Sequence, residues 1–198
     1  MKLLNKSPNF IPIGIGFILL AIGMAQVTAL WALQKAILPD IIKSLTVEQV
    51  NSAEFSPQIY WLEIVDNRIQ LTSKATNIVA ASPEIALQKA LNKLFAQSSI
   101  FGFTTTIPKQ TELLDLHVNK TGIYINLSRE FSQGGGSSSM IYRVAQVLYT
   151  ATSIDSQAQV WLSIEGRPLD EHYLLGGEGL LLEYPLTRQK FSNDFLNQ

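Results

Sequence analysis

Hydrophobic and polar positions change rhythm four times along this chain, and each change marks a different element. The first stretch has no rhythm at all. Residues 10–33 run 24 positions with little besides Pro12, Gly14, Gly16, Gly23, Gln26 and Thr28 to interrupt the apolar side chains, and no charge falls between Lys6 and Lys35. At a rise of about 1.5 Å per residue this segment spans roughly 36 Å as a helix, enough for a hydrocarbon core of about 30 Å. Lys2 and Lys6 precede it, which predicts a cytoplasmic N-terminus (1–9) and an exported body. A cleaved signal peptide is the rival, with Val27-Thr28-Ala29 resembling a small-residue cleavage site, but the apolar run exceeds the usual core of about 7–15 residues. Ala21, Ala25 and Ala29 share one helix face that would allow close helix approach and self-association, although alanine is common in apolar segments and the spacing reads first as that. Residues 34–56 read as a juxtamembrane linker, either a short helix carrying Ile41, Ile42, Leu45 and Val50 on one face or a loosely ordered spacer.

From Gln58 a period of two sets in. Ile59 to Val65 is β-branched and aromatic, Asp66-Asn67 is a two-residue turn signal, and Ile69 and Leu71 alternate on the return, which predicts a hairpin. The period then lengthens to that of a helix. Ser82-Pro83-Glu84 supplies an N-cap, a proline at the first helical position and an acid in the first turn. Leu87, Ala90, Leu91, Leu94 and Phe95 follow on one face, predicting a helix from Pro83 to Ala96. Gln97 to Lys109 reads as a loop whose Ile100, Phe101 and Phe103 fold back over the core rather than form a binding surface.

A second hairpin follows. Leu114, Leu116 and Val118 alternate, Asn119 to Gly122 turns the chain, and Ile123, Ile125 and Leu127 return, with Asp115, His117, Tyr124 and Asn126 on the opposite face. After the run Gly134 to Ser139 comes a second amphipathic helix with Met140, Ile141, Val144, Ala145, Leu148 and Ala151 on its apolar stripe. Val160, Leu162 and Ile164 form the next strand, Glu165-Gly166 turns it, and Arg167-Pro168-Leu169 begins a return limited by its proline. Leu180 to Leu182 reads as a last short strand, and Pro185 to Phe191 as a terminal turn before a tail at 193–198. The expected body is α+β, ordered β-β-α-β-β-α-β-β, an antiparallel or mixed sheet with both amphipathic helices on one face, behind one transmembrane helix.

Composition narrows the chemistry. Charged residues make up 16% of the chain, and the formal net charge of −1 leaves no basic patch for nucleic acid. With no cysteine, disulfides, thiol catalysis and a lipid-bearing cysteine are excluded. A phosphate cradle at Gly134 to Ser139 would follow a parallel strand and end in Lys-Ser/Thr, whereas Met140-Ile141 stands there, so the run reads as a structural corner with a serine cap. Ser137, Ser138 and Ser139 lack a nucleophile elbow, His117 falls on the polar strand face, and His172 has only its neighbours Asp170 and Glu171 to help hold a metal. Gly176 to Gly179 reads as a flexible loop. No catalytic, cofactor-binding or metal-binding residue is expected, and no cofactor.

Taken in order, Ser82-Pro83-Glu84, Ala86-Leu87, Leu91, Ile107-Pro108, Leu113-Leu114, Gly122 to Ser128, Phe131, Gly134 to Ser137, Gln146 to Thr150, Val160 to Gly166 and Pro185 to Arg188 form a recognisable series. Residues 57–192 resemble the GerMN domain of bacterial sporulation, germination and other envelope proteins. Here there is one copy and no lipid-bearing cysteine, and Gln97-Ser98-Ser99 replaces the Gly-Pro that often ends the first helix. The resemblance implies an extracytoplasmic, non-catalytic module that contacts an envelope or membrane protein, or a second copy of itself. Binding or hydrolysis of a cell-wall or anionic ligand is the alternative.

Overall fold

The computed structural model describes residues 55–96, 99–100, 102–176 and 179–197. The apolar segment 10–33, most of the linker 34–56 and residues 97, 98, 101, 177, 178 and 198 lie outside the described residues. Among the described residues no helix is long and apolar enough to cross a membrane.

Local chemistry sets the first elements. Strands β1 (Gln58–Val65) and β2 (Arg68–Ala75) pair antiparallel over all eight positions, from Gln58 opposite Ala75 to Val65 opposite Arg68. Asp66 and Asn67 take φ of 49° and 61° between them, the left-handed pair that matches strand twist in a two-residue hairpin. At the open end the Thr76 hydroxyl donates to the Pro57 carbonyl, 2.7 Å away, and closes the hairpin base. Helix α1 (Pro83–Ala96) begins where its cap predicts: Ser82 Oγ accepts from the Ile85 amide at 3.3 Å. Its inner face, Ala86, Leu87, Ala90, Leu91 and Leu94, is fully buried.

The expected loop at 97–109 instead contains two short strands, β3 (Ser99–Ile100) and β4 (Phe103–Thr104), which extend the first hairpin into a sheet ordered β2-β1-β4-β3. Phe103 does fold back against the core, with the Lys74 ammonium 4.2 Å from its ring centre; Phe101 lies outside the described residues. A second sheet, ordered β5-β6-β7-β8, holds β5 (Leu113–Val118), β6 (Ile123–Leu127), β7 (Val160–Ile164) and β8 (Arg167–Pro168). The single sheet expected from sequence is therefore two. Among the described residues β1 pairs with β4 at Leu62 and Thr104 alone, and no strand pairing joins the two ladders. A further correction concerns Leu114. A bulge between Leu113 and Asp115 turns Leu114 outward to 45% exposure and hands its inward place to Leu113.

Helix α2 (Ser137–Ala151) connects β6 to β7, and those two strands are parallel, in register from Ile123 opposite Val160 to Leu127 opposite Ile164. Its apolar stripe packs into the one core that β1, α1, β5, β6 and β7 also build. Leu182, Leu186 and Phe191 complete that core from the C-terminal segment, where a short helix α3 (Arg188–Phe191), capped by the Thr187 side chain, runs on into a π-helical turn (Ser192–Leu196) that lays Phe195 and Leu196 on the core. Leu180, expected in a strand, makes only an isolated bridge to Leu175.

Arg188 clamps this segment down. Its guanidinium donates to Thr152 Oγ1 at 2.7 Å, to the Tyr149 carbonyl at 2.8 Å and to the Tyr60 hydroxyl at 3.2 Å, and stacks over both tyrosine rings. Replacing it by leucine removes three partly buried donors at once, so Arg188→Leu is expected to lower stability by about 2–3 kcal/mol in a denaturant melt. Arg188→Lys keeps the charge without the planar fork and is expected to recover less than half of that.

Candidate functional site

Three features of the body could carry function: the glycine corner before α2, an open cleft at the opposite end of β6, and the β1–β2 hairpin. Each is decided by which of its polar groups are already used.

The corner is held from beneath. Gly134 and Gly135 adopt φ of +63° and +79°, which turns the chain from the short helical turn at Arg129–Ser132 into α2. Arg143, one and a half turns into α2 and 1% exposed, reaches back under this loop. Its guanidinium donates to the Phe131 carbonyl at 2.6 Å, to Gln133 at 3.1 Å and to Gly134 at 2.8 Å. Burial pushes its pKa below the ordinary arginine value, yet so strong a base keeps its proton at neutral pH. The helix cap is Gly136, and no side chain caps it, so the serine cap expected from sequence is corrected. The parallel pairing of β6 and β7 also removes one ground on which the phosphate reading was set aside. What stands against that reading is the use of the nearby cation: its Nη donors already serve loop carbonyls.

The candidate catalytic side chains do not assemble. Ser139 Oγ accepts from Arg143 Nη2 at 3.4 Å and meets neither histidine. His117 faces solvent on β5, as its alternation predicts, and its Nδ1 lies 3.3 Å from Glu84 Oε2, whose other role is to accept the Val118 amide at 2.8 Å. His172 sits 3.8 Å and 3.9 Å from Glu171 and Asp170 in the loop after β8, where Asp170 Oδ1 accepts the His172 and Tyr173 amides. Among the described residues no three His, Cys, Asp or Glu side chains converge as metal ligands.

The cleft, about 590 Å³, lies between the start of α1, the turn joining β5 to β6 and the segment leading into β7. Leu87, Ile123 and Ile154 form its apolar floor, and Asn119 and Asp155 stand on its rim. Each lends one oxygen to its own turn: Asn119 Oδ1 takes the Thr121 and Gly122 amides, and Asp155 Oδ1 the Gln157 amide. On the outer face of the second sheet, Tyr124 and Trp161 stack at 4.7 Å and 6° beside Tyr184, whose partly buried hydroxyl donates to the Leu162 carbonyl and is pushed by desolvation well above the usual phenol pKa.

The hairpin differs from all of these in carrying two exposed isoleucines beside its turn. Ile64 and Ile69 are opposite one another in register, on one face, and are 68% and 44% exposed. Tyr142 of α2 reaches the same place, its hydroxyl donating to the Ile69 carbonyl at 3.5 Å. Sequence reasoning placed this hairpin but attached no role to its tip; two isoleucines flanking a two-residue turn, where solvent is hardest to avoid, were the available signal.

Comparison with known proteins bears on the fold. Residues 58–170 match the family model named Germane, described as sporulation and spore germination. Among solved structures, the first GerMN domain of the sporulation protein GerM from Bacillus subtilis is similar at 18% identity and TM-score 0.51, covering 68% of this chain and 98% of that one. The tandem GerMN domains of the same protein give 17% identity and TM-score 0.51 over 70% of this chain and 48% of that one, so the chain spans about half of the tandem protein. A candidate lipoprotein of Clostridium perfringens aligns at 20% identity and TM-score 0.49, over 71% of this chain and 91% of that chain. No curated protein matches the chain with significance.

Proposed function

The chain belongs to the Germane family of sporulation and spore germination, and from that premise we propose that it is a non-catalytic docking module held at the outer face of a bacterial membrane. Residues 10–33 serve as a single-pass anchor, and the body engages an envelope or membrane protein through the tip of the β1–β2 hairpin. The exposed Ile64–Ile69 pair carries this reading. Apolar area left exposed at a hairpin tip adds nothing to the fold, and it gains about 25 cal/mol per Å² once a partner covers it.

A photo-crosslinking residue at position 64 of the full chain, in its own cells, is expected to form an adduct with one membrane or envelope protein. Ile64→Lys together with Ile69→Lys removes two apolar anchors, and partner affinity should fall about 100-fold. Both sites are exposed, so the melting temperature should barely move. Failure of position 64 to capture any protein, with the body folded and anchored, would refute docking at this tip.

A further inference from the structure

Of the four sheet edges, three are blunted in ways that prevent strand addition. Strand β5 carries the bulge at Leu114, β8 has two residues of which one is Pro168, and β3 has two residues. Strand β2 is the exception: eight residues, without proline or bulge, at the end of its sheet and paired on one side alone among the described residues. Six of the eight are exposed and the other two half-buried. Apart from the Ile69 carbonyl, which accepts the Tyr142 hydroxyl at 3.5 Å, such an edge presents N–H and C=O groups to any chain that can lie beside it.

The side chains of this strand specify what that chain must be. On one face stand Arg68, Gln70, Thr72 and Lys74; on the other, Ile69, Leu71, Ser73 and Ala75. Arg68 and Lys74 make no ion pair with any carboxylate among the described residues, and β2 contains no acid. Glu63, on the neighbouring strand, accepts from the Thr72 hydroxyl at 3.0 Å. A second copy of β2 added here would bring four cations and no acid onto one strip, which argues against self-pairing.

We propose that the free edge of β2 receives, as a fifth strand of its sheet, an extended partner segment in which acidic and apolar residues alternate. Acidic side chains lie beside Arg68 and Lys74, and apolar ones continue the Ile69–Leu71 face into the Ile64–Ile69 tip. This rests on the docking reading above and names the chemistry of its partner.

The test uses the full chain in detergent micelles and two blocked octapeptides, one alternating glutamate with valine and one alternating lysine with valine. Anisotropy of labelled peptide gives the affinity, and hydrogen exchange locates the contact. The glutamate peptide is expected to bind about tenfold or more tightly than the lysine peptide and to slow exchange of β2 amides. Arg68→Glu with Lys74→Glu should reverse that preference. Equal binding of both peptides, protection that maps away from β2, or a concentration-dependent dimer protecting β2 without peptide would each overturn the proposal. The crosslink at position 64 separates the two ideas: an adduct that persists in the charge-reversed chain preserves docking and rejects edge addition by an acidic strand, while a chain giving no adduct even as wild type rejects docking itself.

Discussion

Gln146→Met is expected to destabilise the body by about 3–5 kcal/mol, although it preserves side-chain volume and a favourable helix propensity. Gln146 is fully buried on α2, on a face that meets the edge of β1 where β4 stops short. Its Nε2 donates to the Tyr60 carbonyl at 3.2 Å, and its Oε1 accepts from the Thr106 amide at 3.2 Å and the Thr105 hydroxyl at 3.0 Å. One turn further on, Thr150 Oγ1 accepts the Tyr60 amide at 3.0 Å. The two side chains thus replace the strand that β1 lacks on this side. Removing the amide leaves a main-chain carbonyl and a main-chain N–H without partners inside the protein, at about 1–3 kcal/mol each. Gln88→Met on α1 is the matched control: its one bond, to the Leu116 carbonyl, is 3.5 Å long and partly solvated, and less than 1 kcal/mol should be lost. Urea melts of the two variants side by side decide the matter. Equal midpoints would mean that β1 is not held through Gln146.

The second large effect is at the glycine corner. Gly135→Val should cost about 3 kcal/mol or more, from two sources. A φ of +79° lies in the left-handed region that a β-branched residue strongly disfavours. A Cβ there would stand 2.6 Å from Ser139 Oγ and 2.7 Å from its Cβ, so the first turn of α2 would have to shift, and 3.1 Å from Arg143 Nη2, which would have to give slightly. The neighbours supply a graded comparison. Gly134 shares the left-handed backbone at +63° but has open space around its would-be Cβ, so Gly134→Ala should cost about 1 kcal/mol. Gly136 has extended backbone and open space, and Gly136→Ala should be nearly neutral or lose a few tenths as a cap. That ordering, 135 far above 134 and 134 above 136, is what a structural corner gives. A Gly135→Val chain that melts like wild type yet loses an anionic ligand would instead make the loop a binding site.

Much of the fold was legible because much of it is governed over four or five residues. The Asp66-Asn67 turn fixes its hairpin through backbone φ, and Ser82-Pro83-Glu84 starts α1 through a cap and a pre-set dihedral. Periodicity then names the buried faces, since a side chain's direction repeats every 2 or 3.6 residues. Periodicity names the apolar stripe of α2 for the same reason, but it gives no role to Arg143 beside it, and Gln146 enters only as part of the family pattern. A polar residue three away from another on a helix looks solvated until something covers it.

For this protein the chain pattern by itself determined an α+β body, its two long hairpins, its two amphipathic helices and its kinship with the Germane family. Tertiary structure alone decided that the strands divide into two sheets, that β6 and β7 run parallel, that Leu114 is bulged outward, and that a buried guanidinium and a buried amide hold the corner and the β1 edge. The division has one physical cause. Turns, caps and periodicity are set by neighbours along the chain, whereas strand partners and the donors that satisfy a buried carbonyl come from residues such as Gln146 and Tyr60, 86 positions apart. The β2 edge belongs to the second class: its hairpin was written in the sequence, but that no further strand joins it among the described residues was not.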